Sequence, residues 1–210
     1  MKTLLTLAIL TGLLAVEALG AERELPIDNQ LPRIGKDWIR RNDDGDNGEH
    51  SWVNFDNQKS AGEVLSFEAW KVSPLLKVTD SPVGQASIET FLHNGSAWRS
   101  SPRVRGRPIS DTVRHRILSI NLGTTESKRN IDAIEYTYVY EGGDDHEATM
   151  AHGYCLVIDH TVLFVQHTSP RAISSELAFD MAGGMLTKHF FQLTGKPHSI
   201  SKGEILKTNE

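Results

Sequence analysis

The chain has 210 residues, 39% hydrophobic and 23% charged, with a formal net charge of −5. That balance is globular and excludes an intrinsically disordered chain, and the length suffices to bury one ordinary core. Cys155 is the single cysteine, so an intramolecular disulfide framework is excluded and the fold must be held by packing.

The first twenty residues read as a secretory signal. Lys2 gives a positive start, residues 4–16 form an apolar core, and Ala18-Leu19-Gly20 are small residues ahead of a cleavage that would leave Ala21 as the new N-terminus. The apolar run is shorter than the ~20 residues that span a bilayer, and Glu17 interrupts its end. The expectation is a secreted or periplasmic protein, residues 21–210, forming one domain without a transmembrane segment. Export would also keep it from nucleic acid and cytosolic cofactors.

Residues 21–37 read as an irregular leader, with Pro26 and Pro32 blocking regular structure. A short strand is expected over 38–41, a polar turn over 43–48 and a strand over 51–55. Over 63–72 alternation predicts a strand with Leu65, Phe67 and Ala69 on one face and Val64, Ser66, Glu68 and Trp70 on the other. Residues 74–82 read as a loop. Asn94-Gly95 predicts a hairpin between 87–92 and 97–99. An arginine-rich, proline-broken loop follows over 100–111, then a strand over 113–122.

Strands are expected over 131–140, 147–158 and 161–167, with Asp159-His160 as a tight turn. On the last hairpin Leu156, Ile158, Leu163 and Val165 line one face, and Cys155, Val157, Val162 and Phe164 the other. A sheet covered on both faces follows. Ser174 or Ser175 can cap a helix running to about Leu193, with Leu177, Met181, Met185, Leu186, His189 and Phe190 at helical spacing. Gly183-Gly184 in its middle cost about 1 kcal/mol each relative to alanine, which implies a close approach to the sheet. Gly195 and Pro197 stop the helix, and the polar tail from 199 onward is expected to be loose. The fold class is α+β, an antiparallel sheet with a C-terminal helix packed on one face.

The closing order of strand, tight turn, strand and helix, after a Trp-led hairpin near the N-terminus, resembles the PsbP/Mog1/DcrB type of small α+β domain. The resemblance covers roughly the last third of the chain and implies a noncatalytic accessory or binding role. It carries over no functional residue.

Among residues suited to chemistry, histidine comes first. If Asp159 and His160 form a two-residue turn, His152 stands directly opposite His167 with Cβ atoms about 5 Å apart, close enough to share a metal. His146, Asp144 or Asp145 would supply a third ligand. Ordinary hydrogen bonds at a partly solvated hairpin end explain the pair as well, because a metal site needs three or four ligands. The acidic run from Asp43 to Glu49 is not an EF-hand: Gly45 falls where an oxygen ligand belongs and Asn54 where the closing Glu belongs. A solvated turn accounts for it.

Arg99, Arg103, Arg105 and Arg107, with Trp98, form the chain's best partner-binding feature. Guanidinium groups suit phosphate, sulfate and carboxylate, so the partner would be an anionic glycan, a lipid head group or an acidic protein. A loop paired with the protein's own acidic turns is the alternative. Cys155 sits in the most apolar stretch, where burial makes a thiol inert. There is no Gly-x-Ser-x-Gly and no His-Glu-x-x-His. The sequence thus points to a noncatalytic binding or accessory domain that needs no cofactor. The alternative is a metal-binding protein or metal-dependent enzyme centred on His152, His167 and His146.

Overall fold

The structure, a computed structural model, describes residues 27–71, 112, 114–124, 128–140, 149–158, 161–170 and 175–209. Among them nine strands form one sheet: β1 (Trp38–Arg40), β2 (Gly45–Asp46), β3 (His50–Asn57), β4 (Val64–Lys71), β5 (Arg114–Gly123), β6 (Lys128–Tyr140), β7 (Thr149–Ile158), β8 (Thr161–Ser169) and β9 (Ser199–Asn209). One long helix, α1 (Ser175–Thr194), precedes β9. The sheet runs β1-β3-β4-β8-β7-β6-β5-β9, every neighbouring pair is antiparallel, and β2 pairs with β3 at the margin. The α+β expectation holds.

Period-two alternation sorts each strand between two faces. The row Val53, Phe67, Val165 and Tyr154 crosses β3, β4, β8 and β7 in register on the face beneath α1. Leu118, Ile120 and Leu122 of β5 extend that face, and Ala178, Ala182, Met185, Leu186 and Phe190 of α1 close the core over it. On the opposite face Ile134, Cys155 and Phe164 stand in register and are also buried. The strand pattern of the last hairpin had required burial on both sides.

Small residues on α1 set the packing distance. A Cβ added at Gly183 would lie 1.7 Å from Cδ1 of Ile200 on β9, and one at Gly184 would lie 2.5 Å from Cβ of Pro32 in the leader. The helix therefore approaches the sheet at Gly183, as expected, and the leader at Gly184. The leader is irregular but docked: Ile27 is fully buried, Leu31 and Ile34 pack on the core, and Lys188 Nζ donates to the carbonyl oxygens of Asp28 and Leu31.

The C-terminal tail is the correction. Residues 199–209 are not loose but form β9, which pairs with β5 from Gly123↔Ser199 to His115↔Asn209. Ser199, Ser201, Lys202, Gly203 and Glu204 make its first half polar, which hid the strand in the sequence, while Ile205 and Leu206 beyond them stay half exposed. Inward, Ile200 packs on the core and Lys202 finds a buried carboxylate, and the strand satisfies the backbone edge of β5.

Candidate functional site

Alternation on β6 turns Glu135 toward the α1 side of the sheet, opposite Arg116 on β5 and Tyr154 on β7. There it is 5% exposed, and four donors converge on it. Arg116 Nε donates to Oε2. Oε1 accepts from the Tyr154 hydroxyl at 2.5 Å, His152 Nε2 at 3.0 Å and Lys202 Nζ at 3.3 Å. Burial alone would raise the Glu135 pKa. The hydrogen bonds from His152, Arg116 and Tyr154, with the charge of Lys202, outweigh it and hold the carboxyl well below the usual range. The Tyr154 hydroxyl is pushed far up, by burial and then by its bond to Glu135. Lys202 also lies over the rings of Tyr154 and Phe179, at 5.7 and 5.1 Å from their centroids.

The register places His152 directly opposite His167, as the two-residue turn required. Both are buried, at 2% and 1% exposure. His167 Nε2 lies 2.7 Å from Glu63 Oε1, and Trp38 meets the ring edge-on at 6.2 Å. Burial pushes the His167 pKa down; Glu63 opposes that and His152 adds to it. Because an ionised carboxylate only accepts, each imidazole donates its Nε2–H to its carboxylate partner. Neither Nδ1 has a hydrogen-bond partner among the described residues. The structure thus brings His152 and His167 together, while His146 lies outside the described residues. Among those residues no three His, Cys, Asp or Glu side chains gather to hold a metal.

On the opposite face His50 is buried between Trp70, stacked at 3.6 Å, and Trp52 at 4.8 Å, with Nε2 2.9 Å from Glu68 Oε2. The Cys155 thiol is fully buried, and burial pushes its pKa up, out of the reactive range. In the acidic turn, Gly48 N–H donates to Asp46 Oδ1, and the N–H groups of Glu49 and His50 donate to Asn47 Oδ1. Arg40 ties Asp44 to Asp28 across that turn. These contacts are those of a self-capped hairpin turn.

Trp98, Arg99, Arg103, Arg105 and Arg107 lie outside the described residues. Arg116, downstream of them, is the arginine bound to Glu135. Sequence reasoning missed Glu135 and Glu63 as partners of the histidines. One signal pointed to the first: Glu135 sits between Ile134 and Tyr136 in the middle of the strand 131–140, and a charge there needs a buried partner.

Among the described residues the architecture is α+β, with helix α1 covering one face of an antiparallel sheet. No protein-family model matches the chain, and no curated protein is similar to it. Among solved structures it is similar to the solution structure of cyanobacterial PsbP (CyanoP) from Synechocystis sp., at 11% identity over 86% of this chain and 92% of that one, with a TM-score of 0.35. A likeness of that extent carries nothing about family, site or function. No helix among the described residues is long and apolar enough to cross a membrane.

Proposed function

We propose that this chain is an exported, noncatalytic binding or accessory domain. The supporting observation is the closed set around Glu135. A carboxylate that accepts from Arg116, Tyr154, His152 and Lys202 has no capacity left to act as a general base. These groups fasten β5, β6, β7 and β9 to one another. The buried thiol of Cys155 is equally unfit as a nucleophile.

Export rests on residues 1–20, and mass spectrometry of protein from culture supernatant or periplasm should find Ala21 at the N-terminus. The contact surface is the arginine loop, Arg99, Arg103, Arg105 and Arg107 with Trp98, and its partner class is an anion. Binding to dextran sulfate and to phosphatidylglycerol vesicles should weaken with salt. It should fall at least tenfold when Arg103, Arg105 and Arg107 are replaced by Ala. Equal binding by that variant removes the loop.

A second reading, metal binding at His152 and His167, has one specific observation in its favour. Metal-ligating imidazoles commonly donate their distal N–H to a carboxylate, which leaves the other nitrogen for the ion. Here Glu135 and Glu63 take the Nε2–H groups, and both Nδ1 atoms are buried without a partner among the described residues. Elemental analysis of purified protein, with a thermal shift on adding zinc or copper, tests it. Bound metal lost in His167→Ala supports it; no metal and no shift end it.

A further inference from the structure

The C-terminal end of α1 stands clear of the core. Ala178, Ala182, Met185, Leu186 and Phe190 bury its inner face, yet every residue from Phe191 to Pro197 is exposed. Two of those residues are large and apolar: Phe191 is 52% exposed and Leu193 61%. Exposed leucines scattered singly are ordinary, but two large apolar side chains on one projecting helix end ask for a partner.

That end is held in place. Thr194 Oγ1 donates to the Phe190 carbonyl and the Gly195 N–H to the Phe191 carbonyl, each at 2.7 Å. Lys188 Nζ and Gln192 Nε2 donate to the carbonyls of Leu31 and Asn29, which ties the last two turns to the leader. Phe191 and Leu193 lie about 200° apart around the axis, so contact along one side of the helix reaches only one of them. Contact end-on reaches both.

Charge selects the occupant. Between Asp180 and Glu204 the chain has no acidic residue and carries Lys188, Lys196 and Lys202, of which Lys202 is bound to Glu135. The register brings more cations to this end, because Gly123 pairs both with Ser199 at the start of β9 and with Lys128 at the start of β6. Lys128 and Arg129 are exposed there, and the Arg129 guanidinium lies 5.1 Å from the Phe190 ring centroid. Asp180 of α1 lies about 16 Å along the axis from Phe191, and Glu176 further. Asp28 in the docked leader is paired with Arg40, and Asp132 of β6 is on the face away from α1.

An apolar tip among cations matches an anionic bilayer, whose acyl chains take the apolar side chains and whose phosphates take the cations. A soluble polyanion offers nothing to Phe191 and Leu193. We infer that this chain docks on anionic lipid membranes through the end of α1, with Phe191 and Leu193 entering the interface. The anion-binding reading is thereby extended to a second surface, whose variants leave residues 99–107 intact.

The test puts a fluorophore at the tip. In Leu193→Cys the new thiol alone takes an environment-sensitive dye, because Cys155 is buried. The labelled protein is titrated with phosphatidylglycerol vesicles, phosphatidylcholine vesicles and dextran sulfate, and vesicle binding of unlabelled protein is measured by sedimentation. The dye should shift to the blue with phosphatidylglycerol vesicles only, and should still do so when Arg103, Arg105 and Arg107 are replaced by Ala. Joint replacement of Phe191 and Leu193 by Ala should lower sedimented binding about tenfold with the melting temperature little changed. A silent dye on bound vesicles, equal binding by the Phe191→Ala, Leu193→Ala variant, or a shift reproduced by dextran sulfate would overturn the docking. So would absence of vesicle binding; dextran sulfate binding lost in the triple arginine variant would then leave the arginine loop as the anion site on its own.

Discussion

His152 and His167 face one another across β7 and β8, yet each is held by a different carboxylate, His152 by Glu135 on β6 and His167 by Glu63 just ahead of β4. The pair is therefore a crossing point between the two halves of the sheet. Its energetics are tied to protons, because burial disfavours the charged form of His167.

The first expected outcome is acid lability in two stages. The folded pKa of His167 lies below its ordinary 6.5, so below that pH the unfolded chain binds the proton more readily and stability falls. The folded pKa of Glu135 lies below its ordinary 4.5, so its contribution is present above that pH and is lost below it. Each group adds a slope of at most about 1.4 kcal/mol per pH unit. Urea midpoints measured from pH 8 to pH 3 should decline from about 6.5 and again from about 4.5. In His167→Asn the upper stage should vanish; a profile flat down to pH 5 in the wild type would contradict this.

Glu135→Gln should cost about 3 kcal/mol, because it leaves Lys202 and the partly buried Arg116 facing a neutral amide that competes as a donor. Arg116→Met should cost less, since the Arg116 side chain is 39% exposed and can be replaced by apolar packing. Chemical denaturation of the two variants checks the order. The reverse order would show that Arg116, not Glu135, is the hub.

Gly153 lies beneath the ring of Tyr136, where an added Cβ would come within 2.4 Å of the ring's Cζ and 2.7 Å of the Val165 carbonyl oxygen. Neither can yield easily, so Gly153→Ala should destabilise by about 2–3 kcal/mol. Part of that loss should return in the double variant with Tyr136→Leu, which removes the ring contact and leaves the carbonyl contact. Strict additivity in a double-mutant cycle would mean that the two residues do not touch.

Ending the chain after Pro197 removes β9, uncovers the edge of β5 and takes Ile200 and Lys202 from the core side. The shortened protein should aggregate or melt at least 10 °C below the full chain, on the order of 3 kcal/mol or more. A truncation that melts like the full chain would restore the loose tail that the sequence alone suggested.

Within the described residues, the central strands and the helix were legible locally, whereas the hairpin expected around Asn94-Gly95 lies outside them. The β-branched and aromatic alternation of 131–140 and of 149–169 specifies strands, and a two-residue turn fixes the pairing sum that sets His152 against His167. The helix and its stop at Gly195, which adopts φ 69°, were equally plain, because periodicity and caps are short-range signals. The pairing of β4 with β8 and of β5 with β9 was not legible, since it joins segments far apart in sequence whose edges carry no local mark. Nor was the meeting of Arg116, Glu135, Tyr154 and Lys202. A carboxylate's partners are chosen by which strands close on it once water is gone, and only the assembled sheet makes that choice.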